Sequence, residues 1–334
     1  MKMRNSVCLL FFLALLSGCA KHSPAVYDPV LSLYVQPGVY RQVSEGLADE
    51  FSVKQDLAVS GWSLENWKNW ERFSSDAVNW LELSRASANA VYLTDKLDPI
   101  QVKDTLWTFY EDVKWPSKDL MLTFLAYSPY KAPCECSLEH GVSWRVDDIM
   151  NEQVDLLYAD MRIDNRTNFS SNVLNLCFEH ALCRIDFRIK NRVDNDGDAS
   201  LDKNPDEIRV KSISIDDVKY SGSFRSRSQQ QWDLRNDTRS LPIYSGEGFQ
   251  TTGNPEPVGE SWLMLPQALN TYVTVEFEYI NFDGGTISQT LQTASPLKTV
   301  LQPGYNYTYT LSVGIDDVLF LQEVIEEEMR NDRK

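Results

Sequence analysis

Side chains that usually carry catalysis are scarce in this sequence. Only three histidines occur in 334 residues, His22, His140 and His180. The chain also lacks a Gly-x-Ser-x-Gly nucleophile motif, a His-Glu-x-x-His zinc motif, a phosphate-binding loop and a dinucleotide-binding glycine fingerprint. Carboxylates are abundant but no pair is set apart by its context, so a hydrolase with two dispersed carboxylates is only a third hypothesis. We therefore expect a protein that is not an enzyme and that binds no nicotinamide or nucleotide cofactor.

Basic residues are also in short supply. The 32 lysines and arginines are outnumbered by 48 aspartates and glutamates, which gives a formal net charge of −16. A surface of this sign repels phosphate, which argues against nucleic acid and against docking on anionic lipid. Hydrophobic residues make up 43% of the chain, as in globular proteins. The length suggests two domains.

No long hydrophobic run follows Cys19, but a short one precedes it. Residues 1–4 form a basic start, residues 7–16 are almost all apolar, and Leu-Ser-Gly-Cys closes the segment. This pattern is typical of a secretory signal, and the apolar run is shorter than the ~20 residues that span a bilayer. The ending resembles the lipobox of bacterial lipoproteins, which implies cleavage between Gly18 and Cys19 and acylation of Cys19 by palmitate-type chains. An ordinary signal peptide with a chance cysteine is the alternative.

Four cysteines remain if Cys8 leaves with the signal and Cys19 is acylated: Cys134, Cys136, Cys177 and Cys183. Disulfides are permitted in an exported, oxidising setting, and four cysteines allow three pairings. A metal site that includes His140 and His180 is an alternative. Its spacing matches no established zinc pattern, so disulfides or buried free thiols are favoured.

A second candidate metal site is a set of aspartates around Gly197, namely Asp194, Asp196, Asp198 and Asp202. Hard oxygen ligands at this spacing suit Ca²⁺. Aligning Gly197 with the invariant glycine of the helix–loop–helix calcium motif, however, puts Arg192 at the first ligand position and Lys203 at the last. A hydrated hairpin loop without a cofactor is therefore favoured, with calcium as the alternative.

Alternation of apolar and polar residues is the dominant pattern of the chain. It is clearest in residues 305–315, where Tyr, Leu, Val and Ile alternate with Asn, Thr, Ser and Gly. The same alternation recurs at 31–36, 174–178, 185–190 and 273–279. It predicts strands with one buried and one wet face, and turn sequences such as Pro303-Gly304 separate them. Because no strand–helix–strand rhythm appears, we expect a mainly β fold of antiparallel β-sandwiches.

Two segments depart from this alternation and predict short helices. Within residues 62–90, Trp67, Trp70 and the group around Trp80 have helical spacing. Residues 321–334 combine helical spacing with a run of acids, which predicts a short amphipathic helix.

Seven of the nine tryptophans precede residue 150. Clustered indoles stack on sugars in some proteins, but large aromatic side chains more commonly fill cores, and we favour a core. A carbohydrate-binding surface lipoprotein that uses exposed tryptophans is kept as the alternative function.

A polar, turn-rich break at residues 162–171 divides the chain. We therefore expect five regions: a lipoprotein signal peptide at 1–18, a lipidated leader at 19–29, an N-terminal β-sandwich domain at 30–168, a C-terminal β-sandwich domain at 169–320, and an acidic helical tail at 321–334.

Several blocks resemble the fimbrillin-like family of outer-membrane lipoproteins, which contains the pilins and accessory subunits of type V pili. The blocks are Trp115-Pro116, Leu122–Pro129, Gln153–Ala159, Leu174–Ile185, Leu263–Gln267, Pro296-Leu297 and Pro303–Leu311. The resemblance covers most of residues 28–320. It implies two transthyretin-like β-sandwich domains in tandem, and a role in cell adhesion through the assembly of surface fimbriae.

The resemblance also implies a way in which subunits are joined. An arginine-specific protease removes an N-terminal strand, and a strand from a neighbouring subunit fills the groove. Here Arg41 follows the predicted strand at 31–35 and is the candidate cleavage site, with a solvent-exposed surface arginine as the alternative. A helical acidic tail differs from the extended donor strand of a stalk pilin. We therefore expect an anchor or minor accessory subunit at the cell surface, held in the outer membrane by acylated Cys19 and bound to other fimbrial subunits.

Overall fold

The structure is a computed structural model. It describes residues 32–36, 39–40, 49–50, 57–65, 78–88, 105–109, 111, 113–114, 120–130, 136–137, 140–149, 152–164, 173–192, 208–281 and 283–326. Strands dominate these ranges, as the alternating sequence predicts. In the first half they are β1 (Ser32–Gln36), β2 (Val39–Tyr40), β3 (Asp49–Glu50), β4 (Leu57–Glu65), β5 (Val78–Ala88), β6 (Thr105–Phe109), β7 (Leu120–Ser128), β8 (Cys136–Ser137), β9 (Gly141–Arg145), β10 (Leu157–Asp164), β11 (Val173–Cys177) and β12 (Glu179–His180).

The second half continues the same architecture. Its strands are β13 (Cys183–Asn191), β14 (Ile208–Lys219), β15 (Ser221–Phe224), β16 (Trp232–Leu234), β17 (Thr238–Gln250), β18 (Glu256–Met264), β19 (Ala268–Thr271), β20 (Val273–Ile280), β21 (Thr286–Gln292), β22 (Leu297–Val300), β23 (Asn306–Val313) and β24 (Val318–Glu326). The prediction of a mainly β fold is confirmed.

Two four-stranded sheets form a sandwich in the second half of the chain. One sheet has the order β18-β13-β23-β24 and the other has the order β17-β14-β20-β21. The alternation of β13 explains the packing, because Ile185, Phe187 and Ile189 are buried while the intervening residues are partly or fully exposed. Tyr309 packs against Phe187 with ring centroids 5.7 Å apart. Apolar faces of both sheets thus close on one continuous core.

The first half contributes most of an eight-stranded sheet with the order β11-β1-β6-β5-β4-β7-β10-β12. Because β11 and β12 are separated only by Phe178, the two ends of this sheet meet, and the sheet curls back on itself. Its inner face holds a separate core that includes Leu57, Leu122, Phe124 and Leu176.

A third, smaller sheet links the two halves of the chain. Its order is β16-β15-β9-β8, so strands on either side of residue 168 lie next to each other. An aromatic cluster lies beneath it, in which the rings of Phe224 and Trp232 are 5.3 Å apart. The indole N–H of Trp232 donates to the Ala181 carbonyl oxygen at 2.8 Å, and the Leu263 amide donates to the Gln153 side chain at 2.8 Å. Several short hydrogen bonds therefore join the halves.

The predicted helices are wrong wherever the structure describes these segments. Residues 62–65 belong to β4 and residues 78–88 form β5. Trp62 is paired with Asn79 on one side and Thr123 on the other, so hydrogen bonding to two neighbouring strands overrides the local spacing of the tryptophans. Residues 66–77 lie outside the described ranges.

The predicted C-terminal helix is wrong in the same way for residues 321–326. These residues complete β24, which pairs antiparallel with β23 from Val313–Val318 to Asn306–Glu326. Residues 327–334 are outside the described part of the chain. The apolar residues that have helical spacing here are also compatible with a strand, and the edge of β23 is available to pair with it.

The domain limits at 168 and 320 stay a prediction. The strand order nevertheless qualifies them, since β11 and β12 join the first sheet although they follow residue 168. Strands β15 and β16 likewise pair with β9.

Candidate subunit-joining site

Strand β1 lies between two partners in the eight-stranded sheet. It runs parallel to β11, with Leu33 opposite Leu174, and antiparallel to β6, with Leu33 opposite Trp107. Neighbouring strands lie about 4.8 Å apart, so the place of β1 between β6 and β11 is about 9.6 Å wide. A segment in this position completes two backbone ladders at once. We call it the β1 slot.

The β1 slot lies over the core of the first sheet. On its β11 side, Leu174 and Leu176 are fully buried while Asn175 and Cys177 are exposed. Any strand that occupies the slot therefore meets an apolar inner side and a wet outer side. Such a slot selects an extended segment with apolar residues at alternate positions.

The second edge of β11 borders a cleft. Where the chain continues as β12, it pairs with β10 through Leu157–His180 and Tyr158–Glu179. Beyond that ladder β10 and β11 diverge, and a cavity of about 700 Å³ lies between them. It is lined by consecutive residues of both strands, among them Asp160, Met161, Arg162, Asn175, Leu176 and Cys177. Because side chains of one strand alternate between faces, lining by consecutive residues places the cleft between strand edges.

Charged groups gather at this cleft. The Arg227 guanidinium forms an ion pair with the Asp160 carboxylate and donates to the Thr123 hydroxyl at 2.5 Å. Ser226 donates to the same carboxylate at 2.7 Å. Partial burial, followed by the charge of Arg227, lowers the pKa of the Arg162 guanidinium. The loop after β15 is thereby tied to the solvent-facing side of β10.

Tyr158 marks the closed end of the cleft. Its phenol donates to the Glu179 carboxylate at 2.8 Å across the β10–β12 ladder. Burial, and then the nearby charge of Glu179, raises the pKa of Tyr158. The neutral phenol is therefore the stable form at this position.

Several predicted site residues lie outside the described ranges. These are Gly18 and Cys19 of the signal cleavage and acylation site, the candidate cleavage residue Arg41, and the calcium candidates Asp194, Asp196, Asp198 and Asp202. Their roles stay predictions.

The cysteine and histidine candidates are partly described. Within the described residues Cys183 carries a free thiol, which donates to the Met264 carbonyl at 3.3 Å, and burial raises the pKa of that thiol. His180 is buried, and its Nδ1 lies 2.5 Å from the Asp155 carboxylate. Among the residues that the structure describes, no three His, Cys, Asp or Glu side chains are grouped to hold a metal ion.

The tryptophans whose side chains are described fill cores. Trp62, Trp144, Trp232 and Trp262 are each no more than 5% exposed. The side chains of the other five lie outside what the structure describes. The favoured core interpretation holds for these four indoles.

Sequence reasoning missed the contacts of Asp160, Arg227, Tyr158 and Glu179. The sequence did contain one indication that these two segments lie side by side. The alternating apolar residues at 157–163 and at 174–180 fall on the same face when the two segments pair as a hairpin. The position of Arg227 carried no signal, since it depends on the folding of a distant loop. In the ranges described, no helix is long and apolar enough to span a membrane.

Comparison with known proteins gives a consistent result. The sequence model of a family described as Fimbrillin-like matches residues 80–327. Of the solved structures, a fimbrial protein from Bacteroides vulgatus ATCC 8482 superposes with a TM-score of 0.61 at 13% identity, over 89% of this chain and 98% of that one. A protein from Parabacteroides distasonis ATCC 8503, provisionally assigned to cell adhesion, has a TM-score of 0.55 at 9% identity, with 90% and 98% covered. No curated protein matches the sequence. At such identities the superpositions show a shared fold.

Proposed function

The chain belongs to the fimbrillin-like family, and from that premise we propose that it is an anchor or minor accessory subunit of a fimbrium, joined to its partners by strand addition. Membership makes it a structural, non-enzymatic protein of the cell surface that is related to fimbriae and adhesion.

The single observation that supports strand addition is the position of β1. It is a short strand near the N-terminus with ladders on both edges, and Arg41 follows it by five residues. Cleavage after Arg41 would detach the segment that fills the β1 slot, together with Cys19, without cutting β6 or β11. A vacated slot therefore belongs to a processed accessory subunit, whereas an anchor that keeps acylated Cys19 keeps β1 as well. The vacated slot would present two backbone edges above an apolar floor, which are the features that an incoming strand recognises.

The anchor or accessory role rests on two features. The lipobox-like Leu-Ser-Gly-Cys segment offers Cys19 for acylation, and several acyl chains hold a protein in a membrane far better than one. Residues 318–326 form a strand where the start of a helical tail was expected. That strand, β24, is paired with β23 along its length, so it is committed to its own sandwich. A subunit whose last described strand is occupied in this way is suited to an end of the polymer.

The decisive experiment determines the N-terminus of the protein isolated from cells and from purified fimbriae. We expect mass spectrometry to find an acylated Cys19 at the N-terminus, with small amounts of the protein in the fimbrial fraction. The Cys19→Ala chain should leave the outer-membrane fraction. Recovery only as free monomers, never with fimbrial material, would refute the proposal.

Arg41 provides a second, separable readout. Arg41→Lys keeps the positive charge but removes the side chain that an arginine-specific protease recognises. An anchor that keeps its lipid should be unaffected by this change. A wild-type N-terminus just after Arg41, lost in Arg41→Lys, would instead identify a processed pilin.

A further inference from the structure

We propose that β10 is a second partner strand for β11. When β1 leaves its slot, the edge of β11 that borders the cleft would form a backbone ladder with the facing edge of β10, a change that we call zipping. Its trigger, the departure of β1, rests on the strand-addition part of the proposed function and applies to a subunit cleaved after Arg41, not to an anchor that keeps acylated Cys19. The zipping itself is a property of the folded subunit.

The existing ladder between β10 and β12 already fixes the register in which β10 and β11 would pair. Backbone bonding between the halves of this hairpin starts with the Ala181 amide donating to the Leu156 carbonyl at 2.8 Å. It continues through Leu157–His180 and Tyr158–Glu179. Advancing one residue at a time on each strand brings Asp160 opposite Cys177 and Arg162 opposite Asn175. No slip or bulge is needed to extend the ladder from β12 into β11.

The two strands are also in phase with respect to their faces. Met161 and Ile163 of β10 pack against the same core that holds Leu174 and Leu176 of β11. The continued register places Met161 opposite Leu176. The exposed residues Asp160, Arg162, Asn175 and Cys177 then share the other face. Since a shift by one residue would turn every side chain to the wrong face, this agreement is specific to the one register.

The cleft supplies the room in which the strands move. Its volume of about 700 Å³ lies along the residues that would pair. Strand β10 is held on its other edge by eight register pairs with β7, from Leu157–Ser128 to Asp164–Met121. Strand β11 is held on its other edge only by the five register pairs with β1. Of the two strands, β11 is therefore the one that moves.

The consequence concerns the vacated slot. Without β1, the strand β11 loses the ladder that holds it on one edge. Pairing with β10 would use the backbone groups of the opposite edge, so β11 would keep one ladder while the groups that faced β1 stay available for an incoming strand. Because this movement draws β11 away from β6, an incoming strand that pairs with both would have to draw β11 back to its place beside the β1 slot. Pairing across the cleft would thus keep β11 ordered between the departure of β1 and the arrival of a strand from a neighbouring subunit.

Disulfide trapping in the full-length chain tests this. Arg162→Cys and Asn175→Cys are combined with Cys177→Ser, and the same chain is made with Val35→Pro, because proline is not tolerated in a strand paired on both edges. Paired residues in a ladder have Cα atoms about 4.5–5.5 Å apart, within disulfide range. Under mild oxidation we expect the 162–175 bridge to form, and to form at least about tenfold faster with Val35→Pro. Peptide mapping identifies the bridge.

The matched control is Arg162→Cys alone, which leaves the native Cys177 on the same face but two residues out of register. We expect its bridge to form at least about tenfold more slowly than the in-register one. Equal rates for the two pairs, or no bridge in either background, would overturn the proposal. If the 162–175 bridge forms at the same rate with and without Val35→Pro, the departure of β1 is not the trigger of zipping.

A variant that fails to fold does not remove the test. Leu33→Gly weakens β1 without removing a backbone donor and replaces Val35→Pro if that chain does not fold. All of these measurements use purified protein, so they are independent of whether the subunit is found in fimbriae. A failure of the fimbrial role and a failure of zipping are therefore distinguishable.

Discussion

Gly141 offers a sharp test of the joint between the two halves of the chain. It begins β9 with a φ of 69°, in the left-handed region, and β9 pairs with β15. A Cβ atom at this position would lie 1.9 Å from the Phe224 carbonyl oxygen and 2.7 Å from the Phe224 carbonyl carbon. Because these are backbone atoms, no change of rotamer relieves the overlap. The two strands would have to separate.

Gly284 is the matched control. Its φ is 80°, but a Cβ there would meet nothing within 4 Å. Gly284→Ala should therefore lower the free energy of unfolding only through the left-handed backbone, by about 1–2 kcal/mol. Gly141→Ala should cause the same loss and, because β9 is displaced from β15, a further loss of about 1–3 kcal/mol, as is typical of overpacking. We expect a total loss of about 2–5 kcal/mol in the free energy of unfolding for Gly141→Ala.

Equilibrium unfolding in urea measures both variants. With a slope of about 1–3 kcal/mol per molar, the difference of about 1–3 kcal/mol should place the Gly141→Ala midpoint roughly 0.3–3 M below that of Gly284→Ala. Hydrogen exchange should rise first at the β9–β15 ladder. Equal losses of unfolding free energy in the two variants, within about 0.5 kcal/mol, would show that a Cβ at Gly141 does not overlap with the backbone of Phe224.

Three other predictions concern single side chains. Trp232→Phe removes the donor to the buried Ala181 carbonyl, so thermal unfolding should show a loss of about 1–3 kcal/mol, and an unchanged melting temperature would contradict this. Leu176→Ala should cost about 2–5 kcal/mol because Leu176 is fully buried, whereas its exposed neighbour in the Asn175→Ala chain should stay within about 0.5 kcal/mol of wild type; equal losses would show that β11 does not face the core as described. The raised pKa of Tyr158 means that its phenol ionises near pH 10 in the unfolded chain but resists ionisation in the folded one. Wild type should therefore lose stability relative to Tyr158→Phe as pH rises above about 10, and parallel stability curves in alkaline urea titrations would refute the burial of the phenol.

The sequence predicts what short-range patterns can carry. Alternation identified β13, β20 and β23, because one face of each is buried. The opposite face is partly or fully exposed in β13 and β20, whereas in β23 Asn306 and Ser312 on that face are buried as well. Alternation also predicted a strand at residues 174–178, of which residues 174–177 lie in β11 and Phe178 follows it. The family resemblance rested on a wider set of blocks that includes Leu174–Ile185 and Pro303–Leu311, and the family is shown by the match over residues 80–327.

Helical spacing misled at two places for a common reason. Residues 78–88 and 321–326 have apolar residues that fit either a helix or a strand. Local propensity differs little between the two choices, so the availability of a partner edge decides. That edge comes from β4 and β6 in one case and from β23 in the other.

The amino-acid sequence by itself determined the class of the protein, the alternation of its strands and the residues at which an export and lipid signal is expected. Only the tertiary structure decided which strands are neighbours: that β1 lies between β6 and β11, that β13 runs parallel to β23, and that β11 diverges from β10 beside a cleft. The reason is physical. Burial of one face depends on residues two apart in the chain, whereas strand pairing depends on loop closure and on competition among all edges that the folded chain brings together.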